Sequence, residues 1–511
     1  MSTLSAALRR TAQLHADRPA MVHADGSLSW RAFTDRVARL ADVLAAAGVQ
    51  RGQRFGVLAA NSVDQAMLFH AGYWLGATPV PVNTRLAPPE IADLLASTHC
   101  GWVAVDQAMR LLLDSPELQR WLPGHLVLGG PALEADILAA APRPATEVSA
   151  HDEALLLHTG GTAGRAKCVV LSHAHVLANA LQMAFAWPAS EHDVALHVAP
   201  MFHSADLVMT GFMLRGAANV YLPRFSPADL LATVERCHVT AMMVVPTMLV
   251  MLIESGLVAR HDLGSLRRIL YGASPLSRPW VTRALATFPA VDFFQGYGLT
   301  ETAPILTVLD HAGHRAALAD ADTSRPLSCG TALPAVQLRI AGPGGADVPP
   351  GQAGEVLARG PNVFDHYLEQ PALTAAVIQG GWFHTGDIGQ IDEQGRLYLL
   401  DRKKDVVIVN GEKVYSVEVE AVLLAHPAVA EVAVIGVPAG RQGEAVFAVV
   451  VCRPGPPVDR RQLRDFCRGR IGAFKIPTGF AFVPALPRSA MGKVLKETLR
   501  LAHGQAATPT P

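Results

Sequence analysis

Apolar and polar positions recur along this chain with two periods, and the switches between them mark out its elements. Residues 4–15 carry apolar side chains at helical spacing and predict an amphipathic helix. Ala20-Met21-Val22-His23 and Ser27-Leu28-Ser29-Trp30 flank Asp25-Gly26, a pair suited to a hairpin turn. Arg31 to Ala47 is helical in pattern and stops at Gly48. Strand-like and helical runs then alternate: strands over 54–60, 78–82 and 102–105, helices over 63–75 and 88–97. Residues 129–150, rich in Ala, Pro and Gly, predict a connection. Leu155-Leu156-Leu157 and Val169-Val170-Leu171 predict strands, and Ser172 suits the cap of a helix starting near His173. The alternation continues through 194–198, 206–214, 219–222, 226–237 and 240–245, followed by strands over 268–271 and 292–294. Ala241-Met242-Met243-Val244-Val245 has the unbroken apolar character of a strand buried on both faces.

Beyond about residue 330 short β-like runs are split by turn signals such as Ala341-Gly342-Pro343-Gly344-Gly345 and Asp392-Glu393-Gln394-Gly395. The charged run Asp401-Arg402-Lys403-Lys404-Asp405 predicts a surface hinge, or simply a solvated turn. A helix over 417–426, strands over 429–437 and 445–451 and a helix over 460–470 follow. The expected fold is α/β. A large N-terminal domain of helix-layered β-sheets with a β-rich subdomain spans 1–400, a small C-terminal α/β domain spans 401–511, and 504–511 form a tail.

Composition narrows the class. A chain of 511 residues exceeds what one hydrophobic core supports, so at least two domains are expected. With 50% hydrophobic and 17% charged residues it suits a compact soluble protein. A net charge of −1 provides no global basic field for nucleic acid. The N-terminus is charged early and lacks the apolar core of a signal peptide. The apolar stretch 241–253 contains Pro246 and is too short to span a bilayer. The six cysteines, Cys100, Cys168, Cys237, Cys329, Cys452 and Cys467, form no CxxC pair, which favours a reducing compartment. Together these predict a cytoplasmic protein.

Candidate chemistry begins with the loop Thr159-Gly160-Gly161-Thr162-Ala163-Gly164-Arg165-Ala166-Lys167, directly after an apolar strand. Glycines let the backbone approach a ligand, the threonines add hydroxyls and Lys167 adds charge, which together suit phosphates. The bland alternative is a Gly-rich surface turn. The P-loop pattern fails, since Lys167 does not follow Gly164 directly. Four more stretches stand out: Tyr271-Gly272-Ala273-Ser274-Pro275, Gln295-Gly296-Tyr297-Gly298-Leu299-Thr300-Glu301, Trp382-Phe383-His384-Thr385-Gly386-Asp387, and Pro487-Arg488-Ser489-Ala490-Met491-Gly492-Lys493. The first ends a strand and the second follows one. Each alone suits a turn or a solvated lysine. His311 and His314 lack further metal ligands nearby and read as part of a solvated loop.

In this order and spacing the motifs resemble the adenylate-forming superfamily: acyl- and aryl-CoA synthetases, peptide-synthetase adenylation domains and beetle luciferases. The resemblance runs from about residue 10 to 500. It implies attack of a carboxylate on the α-phosphorus of ATP, release of pyrophosphate, then capture of the acyl-adenylate by a thiol. By that resemblance Thr159, Gly160, Gly161, Thr162, Gly164 and Lys167 close over the β- and γ-phosphates. Thr300 meets the α-phosphate and Glu301 holds Mg²⁺. Tyr297, within Gln295-Gly296-Tyr297, stacks on adenine, whose other side is lined by Gly272, Ala273 and Ser274. Asp387 accepts from the ribose hydroxyls, with Arg402 assisting. Lys493 contacts the carboxylate and phosphate during adenylation. The C-terminal domain then rotates about Asp401, withdrawing Lys493 and bringing in the Gly411-Glu412-Lys413 loop. ATP, Mg²⁺ and CoA are the implied cofactors and co-substrates. Relatives are often dimers, although nothing in the sequence marks an interface.

The loop departs from the family's common form. Gly160 takes a Ser place, Ala163 a Thr, Ala166 a Pro and Cys168 a Gly. If Ala163 removes a phosphate contact, the loss is on the order of 1 kcal/mol. Cys168 is expected to pack beside its strand. Ala199-Pro200-Met201-Phe202-His203 resembles the segment beside the acyl site, with His203 near the carboxylate, although a capping role would also suit it. Phe202, Met209, Met213, Met243, Val245, Ala303 and Ile305 are candidate pocket walls. Malonate-type synthetases tend to carry Arg near Gln295, so Gln295 argues against a dicarboxylate. These features predict an apolar monocarboxylate, fatty or aryl, with CoA as acceptor. A carrier protein as acceptor, or a degenerate nucleotide-binding protein, are the alternatives.

Overall fold

The computed structural model describes residues 2–23, 26–119, 124–159, 167–320, 326–410, 412–439, 444–489 and 493–504. Backbone contacts divide the chain into two compact units. The first comprises Met1–Ala319, Cys329–Gln337 and Ala358–Phe383; the second comprises Asp320–Ser328, Leu338–Leu357 and His384–Pro511. Both mix helices with sheets, as the alternating pattern requires.

The first unit is built on a nine-stranded sheet. Its central strands, Asp292–Tyr297, Arg268–Gly272, Ala241–Val244, Val194–His197, Ala218–Tyr221 and Pro19–His23, pair in parallel in that order. Antiparallel strands Thr307–Leu309 and Thr331–Ala332 extend one edge, and Gly26–Ser29 forms the other. Parallel strands need crossovers of a dozen residues or more. The helices Pro227–Cys237, Pro246–Glu254 and Arg278–Thr287 lie within those crossovers. Ala241–Val244 is wholly buried, with Met242 against Leu196 and Ile269 in register. Each such side chain contributes roughly 1.5–3 kcal/mol by leaving water.

A second, four-stranded parallel sheet runs Thr78–Pro81, Arg54–Leu58, Trp102–Asp106, Gly124–Leu128. Glu153–Thr159 and Lys167–Ser172 form an antiparallel ribbon, and Ser172 caps the helix His173–Ala186 by accepting from the His175 amide. Residues 160–166, which include Gly160, Gly161, Thr162 and Gly164, lie outside the described residues, as do Asp25, Gly411 and Gly492.

In the second unit residues Asp387–Ile391 of the strand Trp382–Ile391 pair antiparallel with Leu397–Arg402, aligning Asp387 with Arg402. Further along, Val429–Pro438, Glu444–Cys452 and Gly479–Phe482 form a three-stranded sheet. One apolar cluster includes Val434, Val446 and Val450 with Leu423 and Leu463 from two helices. Another includes Ile435, Phe447 and Val449 with Leu499 from Lys496–His503. That division follows the period-two alternation of these strands.

Three expectations need correction. The stretch 129–150 holds a helix, Pro131–Ala139, started by Pro131 and anchored by buried Leu133 and Ile137. Its spacing of four was masked by the Ala and Pro content. His311 and His314 lie in the helix His311–Ala319, and His314 is buried with its Nε2 2.9 Å from the Tyr271 hydroxyl. The strand Asp292–Tyr297 runs through Gln295 and Gly296 instead of ending before them.

Candidate active site

Because the central strands are parallel, their carboxyl ends emerge along one edge, where α/β sheets gather ligands. Gly272-Ala273-Ser274 leaves one strand and Tyr297-Gly298-Leu299 leaves its neighbour, with Gly272 paired to Gly296 and Tyr271 to Gln295. The two backbones approach so closely that a Cβ on Gly272 would lie 2.6 Å from the Gly296 carbonyl oxygen. Ala273 follows at φ +71°, a conformation that strains any side chain beyond glycine. Small residues here leave the Tyr297 side of the edge open. Tyr297 is largely buried and Gln295 half-buried.

Thr300–Thr302 forms a single 3₁₀ turn after the strand. The buried Thr300 hydroxyl lies 3.1 Å from that of Ser204. Ser204 opens the 3₁₀ helix Ser204–Met209, whose N-cap is His203. His203 Nδ1 is buried without a partner among the described residues, and burial lowers the imidazole to about 4, so it is neutral at pH 7. Glu301 is buried, and its Oε1 accepts a 2.7 Å hydrogen bond from the Tyr367 hydroxyl. Its carbonyl accepts from the Phe364 amide at 2.8 Å. Burial, then the Glu301 charge, raises the Tyr367 phenol, which therefore keeps its proton and donates. Lys167 Nζ sits 5.3 Å from the centroid of the Tyr367 ring. Thr159 and Lys167 face each other across the end of the ribbon. The first unit thus brings Thr300, Glu301 and Lys167 together through Ser204 and Tyr367.

The second unit holds another cluster. Asp387, almost fully buried, pairs with Arg402 at 2.7 Å. The Thr385 hydroxyl donates to the Val356 carbonyl and accepts from the Asp387 amide, with Gly386 between at φ +71°. Burial lowers the Lys493 ammonium to about 8, and like charge on Arg402 pushes the same way, against Asp387 and Asp405. Because Lys493 keeps exposed area, solvent screening opposes that shift. The charged run 401–405 is not simply a solvated surface segment. Asp401 is buried, accepting from the Arg402 and Ser416 amides, and Asp405 is buried against Arg500. Ser416 begins the helix Ser416–Leu424, so Asp401 serves the free Ser416 amide at a helix start, a partner invisible in the local sequence.

The geometry agrees with what comparison with known proteins finds. The AMP-binding enzyme family matches residues 8–368, and the AMP-binding enzyme C-terminal domain matches 418–493. This chain belongs to the AMP-binding enzymes. A feruloyl-CoA synthase from Amycolatopsis sp is 35% identical over 97% of this chain and 98% of its own length. The long-chain fatty acid–CoA ligase FadD13 of Mycobacterium tuberculosis is 33% identical over 90% of each chain. The solved structure of ATP-bound MatB from Rhodopseudomonas palustris superposes with a TM-score of 0.87, at 31% identity over 98% of this chain and 99% of its own. With such relatives along nearly its full length, this AMP-binding enzyme is an acid–thiol ligase of the adenylate-forming superfamily.

Two contributors to the site of this AMP-binding enzyme went unread in the sequence. Tyr367 lies between Glu301 and Lys167, and Ser204 lies beside Thr300. Ser204 directly follows His203 and was within reach of a motif reading. Tyr367 carries no local signal, because its partner is 66 positions away. Of the candidate pocket walls, Met209 and Met213 line a buried cavity, whereas Met243, Val245, Ala303 and Ile305 are buried outside its lining. Cys168 is buried in the core beside Val170, and burial holds its thiol up at about 12.

Proposed function

We propose that this AMP-binding enzyme couples an apolar monocarboxylic acid, fatty or aryl, to CoA through an acyl-adenylate. The observation that carries this reading is the convergence of Thr300, Glu301 and the Gly272–Ser274/Tyr297 pair on the carboxyl edge of one parallel sheet. An acyl carboxylate and a triphosphate are both anions, so the site must supply preorganised donors and positive charge. Thr300 directs a hydroxyl at the α-phosphate, held by Ser204. Tyr297 covers one face of adenine, and the narrow Gly272–Ser274 turn covers the other.

The donor set suits Mg²⁺. Glu301 is a hard carboxylate with one oxygen fixed by Tyr367, and no cluster of three ligating side chains occurs among the described residues. Glu301 would hold the ion as its protein carboxylate. When bound, Mg²⁺ neutralises phosphate charge. Tyr367 orients Glu301 for that task.

Asp387 accepts from the ribose hydroxyls, with Arg402 holding its carboxylate in place. Lys493 supplies positive charge to the reacting oxygens in the adenylation step. A rotation about Asp401 then exchanges Lys493 for the 411–413 loop before the thiol attacks. Neutral His203 beside the acyl carbonyl leaves the carboxylate free to attack, since it offers no competing charge. CoA is the acceptor. The relatives are CoA synthases and ligases, which disfavours a carrier protein. Gln295 offers no cation to a second carboxylate, which supports a monocarboxylate.

Pyrophosphate exchange with a panel of graded fatty and aryl acids, followed by assay for the CoA thioester, tests this reading. Exchange and thioester with at least one apolar acid are expected. Exchange without thioester would move the acceptor to another nucleophile, and no exchange with any acid would end the ligase assignment.

A further inference from the structure

Asn61 belongs to none of the motifs above, yet its side chain is tied entirely to the segment that carries His203. It is buried, at 5% exposure, between the strand Arg54–Leu58 and the helix Val63–Leu75. Both of its flanks are fixed. The Ala60 amide donates to Asp106 Oδ2 at 2.8 Å, and Ser62 caps the helix by accepting from the Gln65 amide at 3.1 Å. Asn61 Nδ2 donates to the Ala199 and His197 carbonyls at 2.8 and 3.3 Å, and its Oδ1 accepts from the Met201 amide at 2.9 Å. The side-chain amide cannot be turned around, since its nitrogen faces carbonyls and its oxygen faces an N–H. These partners lie 136–140 positions further along the chain. The end of a strand in the four-stranded sheet is thereby pinned to the segment that leaves Val194–His197 in the nine-stranded one.

That segment leads directly to the proposed acid site. Pro200, between the two clamped residues Ala199 and Met201, accepts from the His203 amide at 3.0 Å. His203 is the N-cap of Ser204–Met209, and the Ser204 hydroxyl lies 3.1 Å from that of Thr300. From the far side Asp206 Oδ1 closes back on His197 Nδ1 at 2.7 Å. His203 thus sits on a short bridge held at both ends. Its own Nδ1 anchors nothing, being buried without a partner among the described residues. The place of the ring is therefore set through the backbone. The Ala199 carbonyl and the Met201 amide have no partner besides Asn61 among the described residues. A buried peptide group without a partner is costly, so loss of Asn61 is relieved by movement of this segment.

We propose that Asn61 is a positioning residue of the acid site: it fixes the Ala199–His203 segment against the four-stranded sheet and so sets where His203 meets the acid. This rests on the acyl-adenylate reading above. Asn61 touches no reacting atom and supplies no charge. Its loss falls on the acid and spares ATP, whose proposed contacts at Gly272–Ser274, Tyr297 and Glu301 lie on other segments.

Pyrophosphate-exchange kinetics on the full chain test this, with decanoic and cinnamic acids as probes, followed by the other acids of the panel above if wild type uses neither. Asn61→Ala should lower kcat/KM for the acid by between about 10- and 100-fold and leave KM for ATP unchanged. On a His203→Ala background the same substitution should cost little further, because the group that Asn61 places is gone. Losses that multiply independently of His203, equal loss for acid and ATP, or an unchanged kcat/KM would each overturn the proposal. Asn61→Ser, which keeps a short donor and acceptor, carries the same comparison if Asn61→Ala fails to fold. Unfolding of both reduces Asn61 to a residue of the fold and also overturns it. Exchange by wild type without a selective effect of Asn61→Ala sinks only this inference, whereas no exchange by wild type with any acid sinks the acyl-adenylate reading and this inference with it.

Discussion

Tyr367→Phe isolates one hydrogen bond at the centre of the proposed site. The substitution removes only the hydroxyl that donates to Glu301 Oε1 at 2.7 Å. The ring stays, so its packing on Phe364 at 4.7 Å and its place beneath Lys167 are kept. Glu301 is buried, at 8% exposure, so water does not readily replace the lost donor. A hydrogen bond to a charged group contributes about 1.5–3 kcal/mol, and leaving the acceptor unmet removes an energy of that order. If the bond holds Glu301 in its productive orientation, the loss falls on the transition state and corresponds to roughly 10- to 150-fold in rate. The assay is pyrophosphate exchange at varied Mg²⁺, with thermal melting alongside. The expected outcome is a fall in kcat of at least about tenfold, an altered Mg²⁺ dependence and a melting temperature within a few degrees of wild type. An unchanged rate and unchanged Mg²⁺ dependence would refute the idea that Tyr367 positions Glu301. Lost activity together with gross unfolding would reduce Tyr367 to a packing residue.

Four further outcomes are expected. Lys493→Ala should abolish adenylation yet spare thioester formation from supplied acyl-adenylate, and equal loss of both half-reactions would count against its role. With the Lys493 ammonium lowered from its ordinary value, adenylation should decline as pH rises through the alkaline range, and Lys493→Arg should move the decline to higher pH. His70, His158, His173, His203 and His314 are each lowered by burial to about 4, against 6.5 when exposed. The unfolded chain therefore binds protons that the native chain excludes between those values. Stability should be full above pH 6.5 and fall towards pH 4, by about 1.4 kcal/mol per pH unit for each histidine. Urea unfolding at pH 7 and pH 5 measures it, and His70→Leu should flatten the slope by one proton. Gly272→Ala should weaken ATP binding sharply, because its Cβ would meet the Gly296 carbonyl; calorimetry showing wild-type ATP affinity would contradict that packing.

Much of this was legible in the sequence because it is written locally. Period and turn signals announced the helix Val63–Leu75 and the buried strand Ala241–Val244, since backbone hydrogen bonding and side-chain alternation act over a few residues. The motifs around Gly272, Thr300, Asp387 and Lys493 were found the same way, from small residues and charges in short fixed patterns. Failures occurred where the deciding partner is remote. Pro131–Ala139 is helical partly because Leu133 and Ile137 have somewhere to be buried. His314 is a core residue because Tyr271, 43 positions earlier, receives it. Asp401 is buried because Ser416 begins a helix against it. The sequence by itself determined the alternation of elements, the family and the kinds of chemical group available. Only the tertiary structure decided that Tyr367 reaches Glu301 and that Ser204 meets Thr300. A linear chain records which groups exist, whereas distance, burial and the partner of each lone pair arise only when distant segments pack.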